Sequence, residues 1–100
     1  MKKLIVLSLL ILASCSNKKE IKQVAEISCG QCQLHLDSEE GCSLAVRFDD
    51  KAYFVDGFGI NDFGDAHDEN IGFCNAIRKA EITGVVENGR FFASDIKLME

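Results

Sequence analysis

The pattern of apolar and polar residues predicts five β-strands in this chain. It is clearest over residues 43–49, where Leu44, Val46 and Phe48 occupy every second position. A period of two places these side chains on one face of a half-buried strand. Residues 52–55 follow the turn 49–51 and predict its hairpin partner. Residues 21–28, whose alternation is less regular, predict the first strand.

The last two predicted strands, residues 81–86 and 90–98, flank the turn Glu87-Asn88-Gly89. An Asn-Gly pair favours the type I′ turn of a tight hairpin. Strict alternation along the final strand places four residues on one face, namely Phe92, Ser94, Ile96 and Leu98.

A helical period appears between the third and fourth predicted strands. After the loop-like residues 56–70, apolar side chains recur at i, i+3, i+4 and i+7 in Phe73, Ala76, Ile77 and Ala80. Five strands with one helix between the third and the fourth resemble the OB-fold, a partly open five-stranded barrel. We therefore expect a mainly β, OB-like barrel, with a plain β-meander packed on one helix as the alternative.

The first 14 residues predict a lipoprotein signal peptide. Lys2 and Lys3 precede an almost unbroken apolar run over residues 4–13, and small residues follow. The run is shorter than the ~20 residues that a spanning helix needs. Leu12-Ala13-Ser14-Cys15 resembles the lipobox of bacterial lipoproteins. This resemblance implies that Cys15 becomes the mature N-terminus, with a thioether-linked lipid and an amine acylated by a fatty acid such as palmitate. An ordinary signal cleaved near Ser14, leaving Cys15 free, is the alternative.

The chain therefore divides into a signal peptide (residues 1–14), a lipidated tether (15–20) and a single domain (21–100). We expect a location in the cell envelope, with the lipid anchored in a bacterial membrane and the domain facing the periplasm or the exterior. Because the tether is short, the domain should lie close to the bilayer.

The charge of the mature chain excludes one class of partner. Without Lys2 and Lys3, 9 of the 11 Lys and Arg residues remain against 16 Asp and Glu residues, a formal charge of −7. Such an acidic protein is not expected to bind nucleic acid or anionic headgroups through a basic patch. We expect the lipid to hold the protein at the membrane, and the sequence specifies no protein partner.

Four cysteines remain once Cys15 is assigned to lipidation: Cys29, Cys32, Cys42 and Cys74. In an up-down-up meander, the end of the first strand, the start of the second and the end of the third lie at one end of the sheet. Cys29 and Cys32 follow the first predicted strand, Cys42 directly precedes the second, and Cys74 lies in the first turn of the predicted helix, which is reached from the end of the third. We therefore expect the thiols to converge at one pole, with His67 on the loop that leads there.

The favoured interpretation of this set is two disulfides, for which three connectivities exist. An exported protein reaches an oxidising compartment, where disulfides form, and a domain this small gains stability from such staples. The alternative is a metal site, in which the Cys-x-x-Cys turn supplies two thiolates and Cys42, Cys74 or His67 completes the set. Soft thiolates favour zinc or copper, as Cu(I), over hard ions.

Two further interpretations carry less weight. Cys29-Gly-Gln-Cys32 looks like the redox motif of thioredoxins, but the chain contains no proline. It therefore lacks the cis-proline of that family, and its order of elements also differs. In the acidic loop, Asp62, Asp65 and Asp68 offer oxygen ligands for a hard cation. Their spacing does not fit an EF-hand, so a solvated loop is favoured.

Several motifs together are similar to a family of small bacterial lipoproteins classed as a domain of unknown function, over residues 24–98. They are Cys29-Gly-Gln-Cys32, Gly41-Cys42 with Leu44-Ala45-Val46, Phe54-Val55-Asp56-Gly57, Gly64-Asp65-Ala66-His67, Gly72-Phe73-Cys74-Asn75-Ala76-Ile77-Arg78-Lys79-Ala80 and Thr83-Gly84. The resemblance implies that the four thiols and the Gly-Asp-Ala-His stretch belong to one pattern, and it names no ligand.

The sequence thus predicts a membrane-anchored, non-catalytic binding or interaction module whose cysteine cluster is stapled by disulfides. A soft-metal site on the same cysteines is the alternative, and a thiol-disulfide redox protein is the further one.

Overall fold

The computed structural model describes residues 19–99, which form a closed five-stranded β-barrel. The strands are β1 (Ile21–Cys29), β2 (Leu44–Phe48), β3 (Lys51–Asp56), β4 (Arg78–Glu87) and β5 (Arg90–Leu98). Within the described part, one four-residue helix, α1 (Gly30–Gln33), follows β1. The order around the barrel is β1-β2-β3-β5-β4, with a parallel β3–β5 pair and an antiparallel β1–β4 pair. The mainly β, five-stranded barrel is therefore confirmed, and the open meander is excluded.

Two tight hairpins build most of the barrel wall. At the β4–β5 turn, φ is 54° at Asn88 and 76° at Gly89. At the β2–β3 turn, φ is 52° at Asp49 and 65° at Asp50. Positive φ at both central residues is the geometry of the type I′ turn, whose twist matches that of the flanking strands. The predicted Asn-Gly turn is confirmed.

An apolar core fills the barrel from the inward faces of the strands, and a smaller cluster of Leu34, Ala45 and Phe54 is separate from it. Its fully buried members include Ile27, Val46, Ile82 and Phe91. The Phe91 ring meets that of Phe48 edge to face, with centroids 5.8 Å apart. Burial of a large apolar side chain contributes about 1.5–3 kcal/mol, so these strands stabilise the barrel directly.

A bulge in β5 changes the face that the sequence predicts. The register shifts between Thr83 and Gly84 of β4, which leaves Ser94 of β5 as the extra residue. As a result Phe91 is fully buried, whereas Phe92 is 40% exposed. The sequence predicted that Phe92 lies on the same face as Ile96 and Leu98. This prediction was wrong, because the extra residue in the bulge reverses the facing of the side chains that precede it.

Residues 57–77 form a series of turns, so the helix predicted between the third and fourth strands was wrong. The Phe73 carbonyl accepts hydrogen bonds from the Cys29 N–H at 3.1 Å and from the Ser28 hydroxyl at 2.7 Å. It therefore bonds to β1 instead of starting a helical ladder. Residues 78–80 already belong to β4 and pair with β1. The helical spacing arises because Phe73 and Ala80 reach the core from a loop and a strand, respectively.

The predicted signal peptide (residues 1–14), Cys15 and all but the last two residues of the predicted tether lie outside the described residues. Across residues 19–99, no helix has the length and apolar character needed to cross a membrane.

Candidate metal centre

Four cysteines meet at one end of the barrel. Cys29 ends β1, Cys32 lies on α1, Cys42 lies two residues before β2, and Cys74 belongs to the turns between β3 and β4. The four Sγ atoms all lie within 4.8 Å of one another. The predicted convergence of the thiols is confirmed, although Cys74 reaches the site from a turn and not from a helix.

The sulfur atoms form one continuous group. The Cys42 Sγ lies 2.8 Å from the Cys29 Sγ and 2.9 Å from the Cys74 Sγ, and all four cysteines are free thiols. A disulfide bond is about 2.05 Å long, so these are contacts between unbonded atoms. A tetrahedral zinc ion with bonds of about 2.3 Å places its sulfur ligands roughly 3.8 Å apart. All four sulfurs lie within 4.8 Å of one another, close enough to surround a single ion, and the two Cys42 contacts would lengthen by about 1 Å around a tetrahedral zinc.

The Cys-x-x-Cys turn is shaped by the close approach of α1 to the sheet. Cys29 caps α1, and its Sγ accepts a hydrogen bond from the Cys32 N–H at 3.4 Å. A Cβ on Gly30 would lie 2.6 Å from a ring carbon of Phe54, so the turn needs glycine at this position. An amide that donates to sulfur favours the thiolate form, which is the form that binds metals.

Two glutamines hold the other cysteine segments against this turn. The Gln31 side chain accepts a hydrogen bond from the Ser43 N–H at 2.8 Å and donates to the Ser43 hydroxyl at 3.2 Å. The Gln33 side chain donates to the Cys74 carbonyl at 2.9 Å. Gln31 therefore positions the residue next to Cys42, and Gln33 positions Cys74. The sequence did not identify either glutamine, since a position within or beside the Cys-x-x-Cys turn marks a residue as near the site but not as bonded to a distant segment.

Hydrogen bonds with Ser28 and Ala66 also fix the Cys74 segment. The Ser28 hydroxyl is buried and lies 2.7 Å from the Phe73 carbonyl and 2.6 Å from the Ala76 carbonyl. The Cys74 N–H donates to the carbonyl of buried Ala66 at 2.9 Å. The Gly-Asp-Ala-His stretch thus contributes to the site through a main-chain carbonyl.

An ionic network supports the segment that precedes Cys42. The Arg90 guanidinium donates to both carboxylate oxygens of Asp56, at 2.7 and 3.2 Å, and also to the Glu39 carboxylate. These two partners, Asp56 first, raise the pKa of Arg90. Glu39 in turn accepts from the Ser43 hydroxyl at 3.4 Å. The network therefore connects the end of β3 and the start of β5 to the residues beside the cluster.

The thiols perturb one another's ionisation. Burial raises the pKa of Cys29, but hydrogen bonds from Cys42 and Cys32 outweigh burial, so the pKa of Cys29 is lowered overall. The hydrogen bond to Cys29 is the main cause that raises the pKa of Cys32 to about 11. Burial, followed by the contacts with Cys29 and Cys74, raises the pKa of Cys42. The group thus favours one thiolate and disfavours a second, and a bound cation would allow several thiolates to coexist.

The other predicted site residues, one histidine and three aspartates, lie in the loop between β3 and β4 and make local contacts there. The His67 side chain is 83% exposed, and its Nδ1 lies 3.8 Å from an Asp65 carboxylate oxygen. Asp62, Asp65 and Asp68 each accept a hydrogen bond from a backbone N–H two or three residues away. Such bonds lower the pKa of Asp68. Within residues 19–99, the group of mutually close ligand atoms consists of the four cysteine sulfurs, and neither His67 nor these carboxylates join it.

Comparison of the chain with known proteins identifies its family but does not identify an activity. Residues 23–99, which contain the four clustered cysteines, match a family of unknown function, DUF6370. The search of curated proteins and the search of solved structures each returned no match. The match covers more than half of the chain, and the chain therefore belongs to the DUF6370 family of unknown function.

Proposed function

We propose that this protein is a metal-binding lipoprotein of the bacterial cell envelope, which holds one soft metal ion on Cys29, Cys32, Cys42 and Cys74. The observation that carries the proposal is the mutual approach of all four Sγ atoms to within 4.8 Å. A tetrahedral ion requires four ligands around one point. Two disulfides require only that each sulfur approach one other sulfur.

The position of Cys42 favours the metal over the disulfides. Its Sγ is in contact with those of both Cys29 and Cys74. A disulfide uses each sulfur once, so a Cys42 bond to either neighbour leaves the other contact unused. A metal ion between the sulfurs can bind Cys42 together with both of these neighbours and Cys32. This contact pattern supports the metal site, which the sequence alone gave as the alternative to disulfides.

The ligand type selects the ion. Four thiolates without carboxylates suit zinc or Cu(I), whereas magnesium and calcium require oxygen ligands. Zinc is the better match because it prefers four tetrahedral ligands. Four protein ligands also leave no open position for a substrate, which supports a binding function over a catalytic one.

The membrane anchor is supported by the N-terminal sequence. Cys15 follows a basic start, an apolar run and a lipobox-like triplet. Lipidation at Cys15 would place the domain beside a bilayer through a tether of about six residues, on the periplasmic or external side. A Cys15→Ser variant should leave the membrane fraction while keeping its metal, because residues 19–99 contain the whole cluster. A variant that stays firmly in the membrane fraction would contradict the anchor.

The metal site is tested on the full chain, purified without reductant and without chelator. We expect about one equivalent of zinc or copper by elemental analysis. The clustered thiols should react with an alkylating agent much more slowly before a chelator is added than after it. Protein without metal, whose thiols react only after reduction, would show disulfides and overturn the proposal.

Two variants make this test specific. Cys42→Ser should lose the metal, because Cys42 contacts two of the other sulfurs. Cys15→Ser is the matched control, since it removes a cysteine outside the cluster and should retain one equivalent of metal.

A further inference from the structure

The four cysteines differ sharply in exposure. Cys29 is fully buried in the core, Cys42 and Cys74 are half-buried, and Cys32 is exposed. We infer that Cys32 is the exchangeable ligand of the cluster, and that an incoming thiolate takes its place during metal transfer. The inference rests on the proposed metal site and adds the ligand class with which that site exchanges metal.

Three of the cysteines are held by contacts with other chain segments. The Cys29 N–H donates to Phe73, and Cys29 pairs with Leu44 of β2. Cys74 is bonded at its N–H to Ala66 and at its carbonyl to Gln33. Each of these sulfurs is thus carried on a backbone that cannot move without breaking contacts between segments.

Cys42 is restrained through the adjacent residue. Ser43 donates its N–H to the Gln31 side chain at 2.8 Å, and its carbonyl accepts from the Gly30 N–H at 2.8 Å. The Cys42 Sγ also lies between two other sulfurs. An attacking ligand would therefore find this sulfur partly covered by its neighbours.

Cys32 differs from the other three in exposure, because its side chain is exposed to solvent. Its N–H bonds to the Cys29 Sγ within the same turn, on a helix of only four residues. The adjacent Gln31 and Gln33 bond to other segments and hold this backbone in place. A rotation of the Cys32 side chain away from the metal would leave those contacts and the apolar core unchanged.

The exchange step is a simple ligand substitution. An incoming thiolate forms a metal–sulfur bond, and the bond from the metal to the Cys32 Sγ breaks. The electron pair of the broken bond stays on Cys32 as a thiolate, which then takes a proton from solvent. The oxidation state of the metal does not change, and Cys29, Cys42 and Cys74 keep the ion during the step.

Chemical rescue tests this directly in the full chain. Cys32→Ala should lower zinc affinity by at least about tenfold, measured by competition with a chromophoric chelator. Millimolar 2-mercaptoethanol should restore most of that loss, because the small thiol can enter the exposed fourth position. Cys29→Ala is the matched comparison and should not be rescued, because its position is fully buried.

A second measurement uses the wild-type protein and so does not depend on how the variants fold. Zinc-loaded wild-type protein is treated with a limiting amount of iodoacetamide, and the modified cysteine is identified by peptide mass spectrometry. First modification at Cys32 supports the inference. First modification at Cys42 or Cys74, or equal rescue of the two alanine variants, overturns it. Wild-type protein that binds no metal would instead overturn the proposed function.

Discussion

The two hairpins and the two cysteine-bearing connections of this molecule are held by different interactions. The hairpins β2–β3 and β4–β5 combine backbone ladders with inward apolar side chains such as Phe91. The connections, residues 30–43 and 57–77, also bury apolar side chains such as Phe73, but their positions depend on polar side chains that bond to other segments. Ser28, Gln31 and Gln33 make the contacts that bring the cysteine segments together.

This difference separates the origin of stability from the origin of the site geometry. Buried apolar area stabilises the barrel whether or not the thiols hold a metal. The positions of the sulfurs depend on a few directional hydrogen bonds, each of which contributes about 1 kcal/mol. We therefore expect core changes to act mainly on stability, and changes in the connections to act mainly on the metal site.

The largest effect is expected in the core. Phe91→Ala should lower the free energy of unfolding by about 3–5 kcal/mol, because it removes a fully buried ring and leaves a cavity. Phe92→Ala, at the adjacent and exposed position, should change it by less than about 1 kcal/mol. Urea denaturation of both variants measures the difference. Equal losses would show that the β5 bulge does not set the inward face.

Metal removal is expected to have the next largest effect. Chelation should lower the free energy of unfolding by about 2.7 kcal/mol if free metal had been present at 100 times its Kd. The far-UV circular dichroism spectrum should persist, because the strands have their own core. Cys42→Ser protein is the control, since chelator should not change its stability. Loss of the β spectrum on chelation would mean that the barrel depends on the site.

A change at Ser28 should affect both the stability of the barrel and the metal site. Ser28→Ala should cost about 1–2 kcal/mol of stability, because it leaves the Ala76 carbonyl without this donor. It should also weaken metal binding, since Ser28 holds the residues on both sides of Cys74. Ser94→Ala is a matched control, because that hydroxyl bonds to a strand carbonyl on the exposed surface. Unchanged metal affinity in Ser28→Ala would remove Ser28 from the site.

The strands were predictable because their signals are local. Alternation around Leu44 and the Asn88-Gly89 pair depend on residues close together in the chain, and both predictions agree with the structure. The β5 bulge was not predictable, because the extra residue Ser94 is defined by pairing with another strand. The sequence wrongly predicted a helix before β4 for the same reason. The hydrogen bonds that form there in its place come from β1, which is distant along the chain.

The candidate site likewise has features that the sequence could predict and features that it could not. The convergence of the four thiols followed from strand order alone. The roles of Gln31 and Gln33 did not, because an amide that tethers a distant segment has the same local sequence pattern as an exposed one. His67 shows the converse case, in which proximity along the loop suggested a ligand while the side chain remains 83% exposed.

The smallest predicted effect concerns a surface pair on the barrel wall. Glu26 and Arg47 are register partners on β1 and β2, with Oε1 and Nε 2.7 Å apart. The hydrogen bond from Arg47 is the main cause that lowers the pKa of Glu26. Because the folded-state pKa lies below the unfolded value of about 4.3, the pair stabilises the protein above that pH. This contribution is lost as the pH falls through the lowered pKa.

Glu26→Gln should therefore cost stability at neutral pH and match the wild type in strong acid. Both side chains are more than one third exposed, so solvent screening limits the difference to less than about 1 kcal/mol. Urea denaturation of wild type and variant at a series of pH values measures it, and added salt should reduce it further. A difference that grows toward acid pH would contradict the assigned pKa direction. A change in metal content at neutral pH would show that this wall is not independent of the cysteine-bearing connections.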